Sequence, residues 1–230
     1  MKTLFFILPF VFSSLASANT FAPFQKILDH ALTRHELKSG GLETHFDYQK
    51  AHSHLETKKL LTLQIENLKK ININELKEKD QALAFWINAY NFYMVKVILD
   101  QGFKDGKLNI QSVKDFGSFF SPYKVFKQKD HWVGNQQLSL DDMEKGILLG
   151  EDYKAKGWKD ARIHFAVNCA SVGCPPLHPK IYEAKTLSSV LDDNIQKAFQ
   201  TPRHLHIKGQ TLYLTHLFKW YEADFVEASG

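Results

Sequence analysis

Residues 78–100, EKDQALAFWINAYNFYMVKVILD, decide the fold of this chain. Leu83, Trp86, Ile87, Tyr90, Met94, Val97 and Ile98 recur three and four residues apart, the spacing of one face of an α-helix. Gln101-Gly102 follows and stops the helix, as glycine does beyond a last helical turn. The helix is so apolar that its two amides, Asn88 and Asn91, are expected to be at least partly buried. They lie three apart and share a face.

Upstream, residues 23–37 carry Phe24, Ile27, Leu28, Ala31 and Leu32 at helical spacing, closed by Ser39-Gly40-Gly41. A second helical region is expected over 49–68. Asn72 and Asn74 punctuate the chain before the long helix. Downstream the character changes. Residues 112–133 are rich in aromatics, hold Gly117 and Pro122, and read as a loop followed by a strand. Residues 125–133 and 136–140 flank Gly134-Asn135, a hairpin signal. Ser139 fits the cap of a short helix with Asp141, Asp142 and Glu144 in its first turn, where acids complement the helix dipole. Residues 162–168, RIHFAVN, read as a short β-type run, and 168–179 as a turn-rich loop. A helix over 187–199, a hairpin of 205–207 with 211–214, and an amphipathic helix over 217–226 complete the chain. The sum is α+β: a helical N-terminal half packed on a small, mainly antiparallel sheet.

The first 18 residues read as a cleaved secretory signal peptide. Lys2 supplies the basic start, LFFILPFVF at 4–12 the apolar run, and Ala16-Ser17-Ala18 the small-residue cleavage pattern. The run is too short to span a bilayer, which takes about 20 apolar residues, and no second stretch of membrane length is read. Residues 19–230 are then expected to be one exported domain, periplasmic or secreted, with no membrane span after cleavage.

Hydrophobic residues make up 44% of the 230 and charged residues 23%, ordinary for a globular protein. The formal charge is +4. No Lys/Arg stripe of the kind nucleic acid requires is present, so no nucleic-acid partner is expected. His204-x-His206 and His52-x-His54 have no third and fourth ligand nearby, so no metal is expected. His204-x-His206 reads as an exposed hairpin. No phosphate-binding glycine pattern and no G-x-S-x-G occurs, and no cofactor is expected. A small-molecule or peptide ligand remains as the partner class, and no oligomeric state is implied.

Chemistry concentrates at residues 164–174, HFAVNCASVGC. Cys169 enters a loop of small residues, where backbone N–H groups can approach a bound group. His164 lies five residues earlier. On an extended strand it would point to the opposite face, roughly 16 Å away, and would share its own face with Asn168. If Cys169 is a nucleophile, its base is expected from another segment. The rival reading joins Cys169 to Cys174 in a disulfide, which would remove the thiol. Both readings stay open on the residues alone.

Four motifs in order resemble a known family. They are Phe85-Trp86-Ile87-Asn88-Ala89-Tyr90-Asn91, the acidic helix start from Leu138 through Glu144, the segment from Arg162 through Leu177, and Phe218-Lys219-Trp220-Tyr221 with Asp224-Phe225. The chain is identified as a member of domain of unknown function 547. The resemblance implies a distant similarity to papain-like and transglutaminase-like cysteine enzymes, and with it thiolate attack on an amide or thioester carbonyl. Cys169 would be the nucleophile, with Glu144 or a histidine such as His164 orienting or activating it. Asn88, Asn91 and Asn168 would organise the site. The family usually has histidine directly after the glutamate. Here that place is Lys145, whose ordinary pKa near 10.4 does not suit a base.

Two functions follow. One is an exported thiol-dependent hydrolase or acyltransferase acting on amide bonds of peptides or γ-glutamyl compounds. The other is a non-catalytic envelope domain that binds a peptide or small ligand, with the cysteines as a staple. In the second, residues 116–123 (FGSFFSPY) offer a recognition loop, although packing against the core is the expectation for them.

Overall fold

A computed structural model describes residues 20–171 and 173–230. The signal peptide expected over 1–18 lies outside the described residues. Helix α1 (Ala22–Ala31) places proline in its first turn, where the missing N–H costs no bond, and buries Phe24, Ile27, Leu28 and Ala31. Its start is held by buried Gln64, which accepts from Phe24 N at 3.1 Å and donates to Thr20 O at 3.0 Å. Strands β1 (Leu32–Glu36) and β2 (Leu42–Phe46) form an antiparallel hairpin pairing Leu32 with Phe46. Residues 32–36 were expected to continue the helix. They leave it because pairing with 42–46 satisfies their backbone groups.

The region read as one helix over 49–68 is two, α2 (Tyr48–Ser53) and α3 (Leu55–Lys69), parted at His54. The Asp47 side chain caps α2 by accepting from Lys50 N at 2.8 Å. Helix α4 (Lys79–Gln101) is the central element and is buried on nearly every face. Phe24 of α1 meets Phe92 of α4 edge to face at 5.6 Å. By length and composition α4 qualifies to cross a membrane, which corrects the expectation that no second stretch reaches that length. Its most apolar window is 94% buried by the rest of the fold, the setting of a core helix.

The strands form four separate two-stranded antiparallel hairpins among the described residues. Besides the first, they are β3 (Phe103–Lys104) with β4 (Lys107–Leu108), β5 (His131–Val133) with β6 (Gln136–Leu138), and β7 (Leu205–Lys208) with β8 (Thr211–Leu214). Gly134 turns β5 into β6 with φ +58°, a conformation that favours glycine. A π-helix (Asp142–Leu148) follows. Its entry is capped reciprocally: Asp142 N donates to Ser139 Oγ at 3.0 Å, and Ser139 N donates to Asp142 Oδ2 at 2.9 Å. Then come α5 (Glu151–Ala155), α6 (Leu187–Phe199), α7 (Leu217–Trp220) and α8 (Glu222–Ser229). The last two divide at Tyr221 what was read as one helix. The architecture is α+β, with α4 at its centre.

Candidate functional site

The segment before the cysteines is not a strand. Residues Ala161–Phe165 form a 3-10 helix, begun by the Asp160 side chain, which accepts from Arg162 N at 3.0 Å. Ile163, His164 and Phe165 are all buried. With only Arg162 partly exposed, apolar alternation does not distinguish a strand from a short helix. His164 and Cys169 are therefore not on opposite faces of a strand.

Asn88 and Asn91 hold this segment against α4. Asn91 Nδ2 donates to Ala166 O at 2.9 Å, and its Oδ1 accepts from Asn168 N at 2.8 Å. Asn88 does the same at Tyr182, donating to its carbonyl and accepting from its N–H, both at 2.8 Å. Each carboxamide thus satisfies a backbone donor and acceptor that have no secondary-structure partner. Asn168 continues the chain of bonds: Nδ2 donates to Pro175 O at 2.7 Å, and Oδ1 accepts from Ala170 N at 2.9 Å. That clasp closes the loop, and Ala170 takes φ +52° within it. Cys169 and Cys174 are joined by a disulfide across the same loop, with Cα atoms 6.1 Å apart.

A second cluster lies among the acidic helix, the 3-10 helix and the C-terminal helices. Glu144 is buried on the π-helix and accepts from Tyr221 Oη at 2.8 Å. Tyr90 of α4 is buried close enough to the same carboxylate to feel its charge. Burial pushes the Glu144 carboxyl above its ordinary pKa, against the pull of Tyr221 and Lys145. Burial and the Glu144 charge raise both tyrosines. Tyr221 stacks on the His164 ring at 3.7 Å between centroids. His164 Nε2 meets Asp224 Oδ2 at 2.9 Å, and Asp224 Oδ1 pairs with Lys159 Nζ at 2.7 Å. Burial lowers the His164 pKa, with Asp224 opposing. Burial would raise the Asp224 carboxyl, but its bonds to Lys159 and His164 hold it below the ordinary value.

The four motif segments therefore converge in space, but the residues expected to act on Cys169 are occupied elsewhere. Lys145 is turned outward, its side chain 59% exposed and paired with Asp141 at 2.8 Å. Glu144 and His164 are linked through Tyr221, not through a cysteine. Tyr90, Tyr221 and Asp224 complete this cluster and were not among the expected site residues. Two lay within recognisable C-terminal motif residues, yet which of those faces His164 depends on how the last helices dock. Among the described residues no group of three or more His, Cys, Asp or Glu is placed to hold a metal. His204, read as part of an exposed hairpin, is buried beside β7.

Cavities lie apart from this cluster. One of about 550 Å³ is bounded by Pro23, Leu60, Leu63 and Ile71, and one of about 480 Å³ by His52, Leu61, Lys96 and Asp100.

The family described as protein of unknown function, DUF547, matches residues 73–199. The chain belongs to this family. The matched span contains Asn88, Asn91, Glu144, His164 and both cysteines, while Tyr221 and Asp224 lie beyond it. No curated protein and no solved structure matches the chain. The DUF547 match covers α4 and the cysteine loop.

One further surface stands out. Of residues 116–123, expected to pack against the core, Phe116 does so, while 118–121 and Tyr123 are exposed instead. Phe119 is 94% exposed and Phe120 93%. Two 3-10 turns, Val113–Phe116 and Lys124–Lys127, carry the loop and anchor it through buried Val113 and Val125. Its tip is closed by Ser118 and Ser121, each donating its N–H to the other's carbonyl at 3.2 and 3.0 Å. A Cβ on Gly117 would collide with the Ser121 carbonyl oxygen.

Proposed function

We propose that this chain is an exported, non-catalytic binding domain, periplasmic or secreted. The Cys169–Cys174 bond is its structural staple, and the loop of residues 116–123 is its contact surface. The observation that carries this reading is the Cys169–Cys174 bond, which leaves no thiol to act as the nucleophile. His164 Nε2 meets Asp224 while its Nδ1 has no hydrogen-bond partner among the described residues, and Glu144 accepts from the Tyr221 hydroxyl. A cysteine nucleophile needs a base within hydrogen-bond reach. The leader pattern over 1–18 supports export, and an oxidising compartment is where such a bond persists.

The test is an assay of oxidised and reduced protein against peptide p-nitroanilides and γ-glutamyl amides. The expected result is no turnover above that of Cys169→Ser in either state. Turnover that disappears in Cys169→Ser would contradict the proposal.

A further inference from the structure

The tip of the 116–123 loop has the geometry and charge of a device for docking on lipid. Phe119 and Phe120 stand edge to face at 5.4 Å and are almost wholly exposed. They form a convex point. Neither of the two cavities described above includes a residue of the loop. From 116 to 129 the sequence contains no acidic residue, and Lys124 and Lys127 are exposed. Lys114, also exposed, sits over the Tyr123 ring at 5.6 Å. Asp115, the nearest acid before the tip, is turned back to cap its own turn, accepting from Gln111 N and Ser112 N at 2.8 and 3.0 Å.

We infer that this loop docks the protein peripherally on an anionic bilayer surface. Phe119 and Phe120 enter the boundary between headgroups and acyl chains, and Lys114, Lys124 and Lys127 face the phosphates. The inference rests on the binding reading above and names its partner. Aromatic rings favour the membrane interface, and basic residues beside an apolar point are drawn to anionic lipid. The loop is already closed by Gly117, the Ser118–Ser121 bonds and the Asp115 cap, so little ordering is required on contact.

Co-sedimentation of the exported, leader-free protein with vesicles tests this. One set is phosphatidylcholine alone, the other an equal mixture with phosphatidylglycerol. Binding is expected to the mixed vesicles, weakening as salt is raised. Phe119→Ser with Phe120→Ser should reduce it by at least about tenfold. Lys124→Ser with Lys127→Ser should reduce it by about twenty-fivefold, near fivefold for each lysine. All four positions are exposed, so melting temperatures should be unchanged. Equal binding to both vesicle types, or binding indifferent to the phenylalanines, overturns the inference. If vesicles are ignored but a random peptide library is bound through Phe119 and Phe120, the lipid partner is overturned while the binding reading stands. If neither is bound, both fall.

Discussion

The side-chain oxygen of Asn91 accepts the backbone N–H of Asn168 at 2.8 Å, across 77 positions of sequence. This bond ties the central helix to the residue that closes the cysteine loop. With the donation from Asn91 to Ala166 O, it makes one buried amide responsible for two backbone groups.

Replacing Asn91 by alanine strands the Asn168 N–H, whereas the Ala166 carbonyl keeps a long bond from the Tyr182 hydroxyl at 3.4 Å. An unpaired buried group costs about 1–3 kcal/mol, so Asn91→Ala should lower unfolding stability by about 1–3 kcal/mol in urea titrations. A change below 1 kcal/mol would mean that water or a rearranged loop replaces the amide.

The disulfide closes a very short loop. The chain-entropy relation gives about 2 kcal/mol for a ring of this size. Cys169→Ser with Cys174→Ser should therefore lower the melting temperature by roughly 4–8 °C for a chain of this length. Wild type in reductant should match it. A variant that does not fold would show that the loop is more than a local staple.

His131 begins β5 and stacks on Tyr93 of α4 at 4.5 Å. Burial lowers its pKa to about 4, against the attraction of Asp130. The folded state therefore binds this proton less readily than the unfolded chain, whose value is 6.5. Stability is complete above pH 6.5 and is lost as pH falls toward 4, by about 3 kcal/mol at most. His164, lowered by burial, acts in the same direction. His131→Phe keeps a ring against Tyr93 and should flatten the curve in that window by about one proton. An unchanged slope in urea midpoints measured across it would assign the acid sensitivity elsewhere.

Lys145 occupies the place where the family resemblance expects histidine. Its side chain faces solvent and pairs with Asp141. Lys145→His should change stability by less than about 0.5 kcal/mol, as exposed substitutions do. It should also leave the alkylation rate of the reduced cysteines unaltered. A faster rate would show that position 145 reaches the sulfur.

Much of the fold was legible because its signals are local. The long apolar helix, the Gly134-Asn135 turn and the Ser139 cap each follow from a few neighbouring residues. Residues 32–36 were misread because their partner strand begins only after a turn, so helical spacing was extended past Ala31. Residues 162–168 were misread because a short helix with only Arg162 partly exposed shows too little polar face to betray its period. The asparagines were legible as buried amides needing partners, though not which partners. The Glu144–Tyr221–His164–Asp224 cluster was not legible, since it joins three segments whose meeting is decided by tertiary packing. The exposure of Phe119 and Phe120 runs against the burial usual for phenylalanine, which is why composition pointed the other way.

The account depends most on the state of Cys169. Thiol titration of the folded, unreduced protein, repeated after denaturation, reads it directly. The account predicts no free thiol per chain before or after unfolding. A free thiol in the native protein that reacts rapidly below pH 7 would indicate an activated cysteine and would contradict the non-catalytic reading.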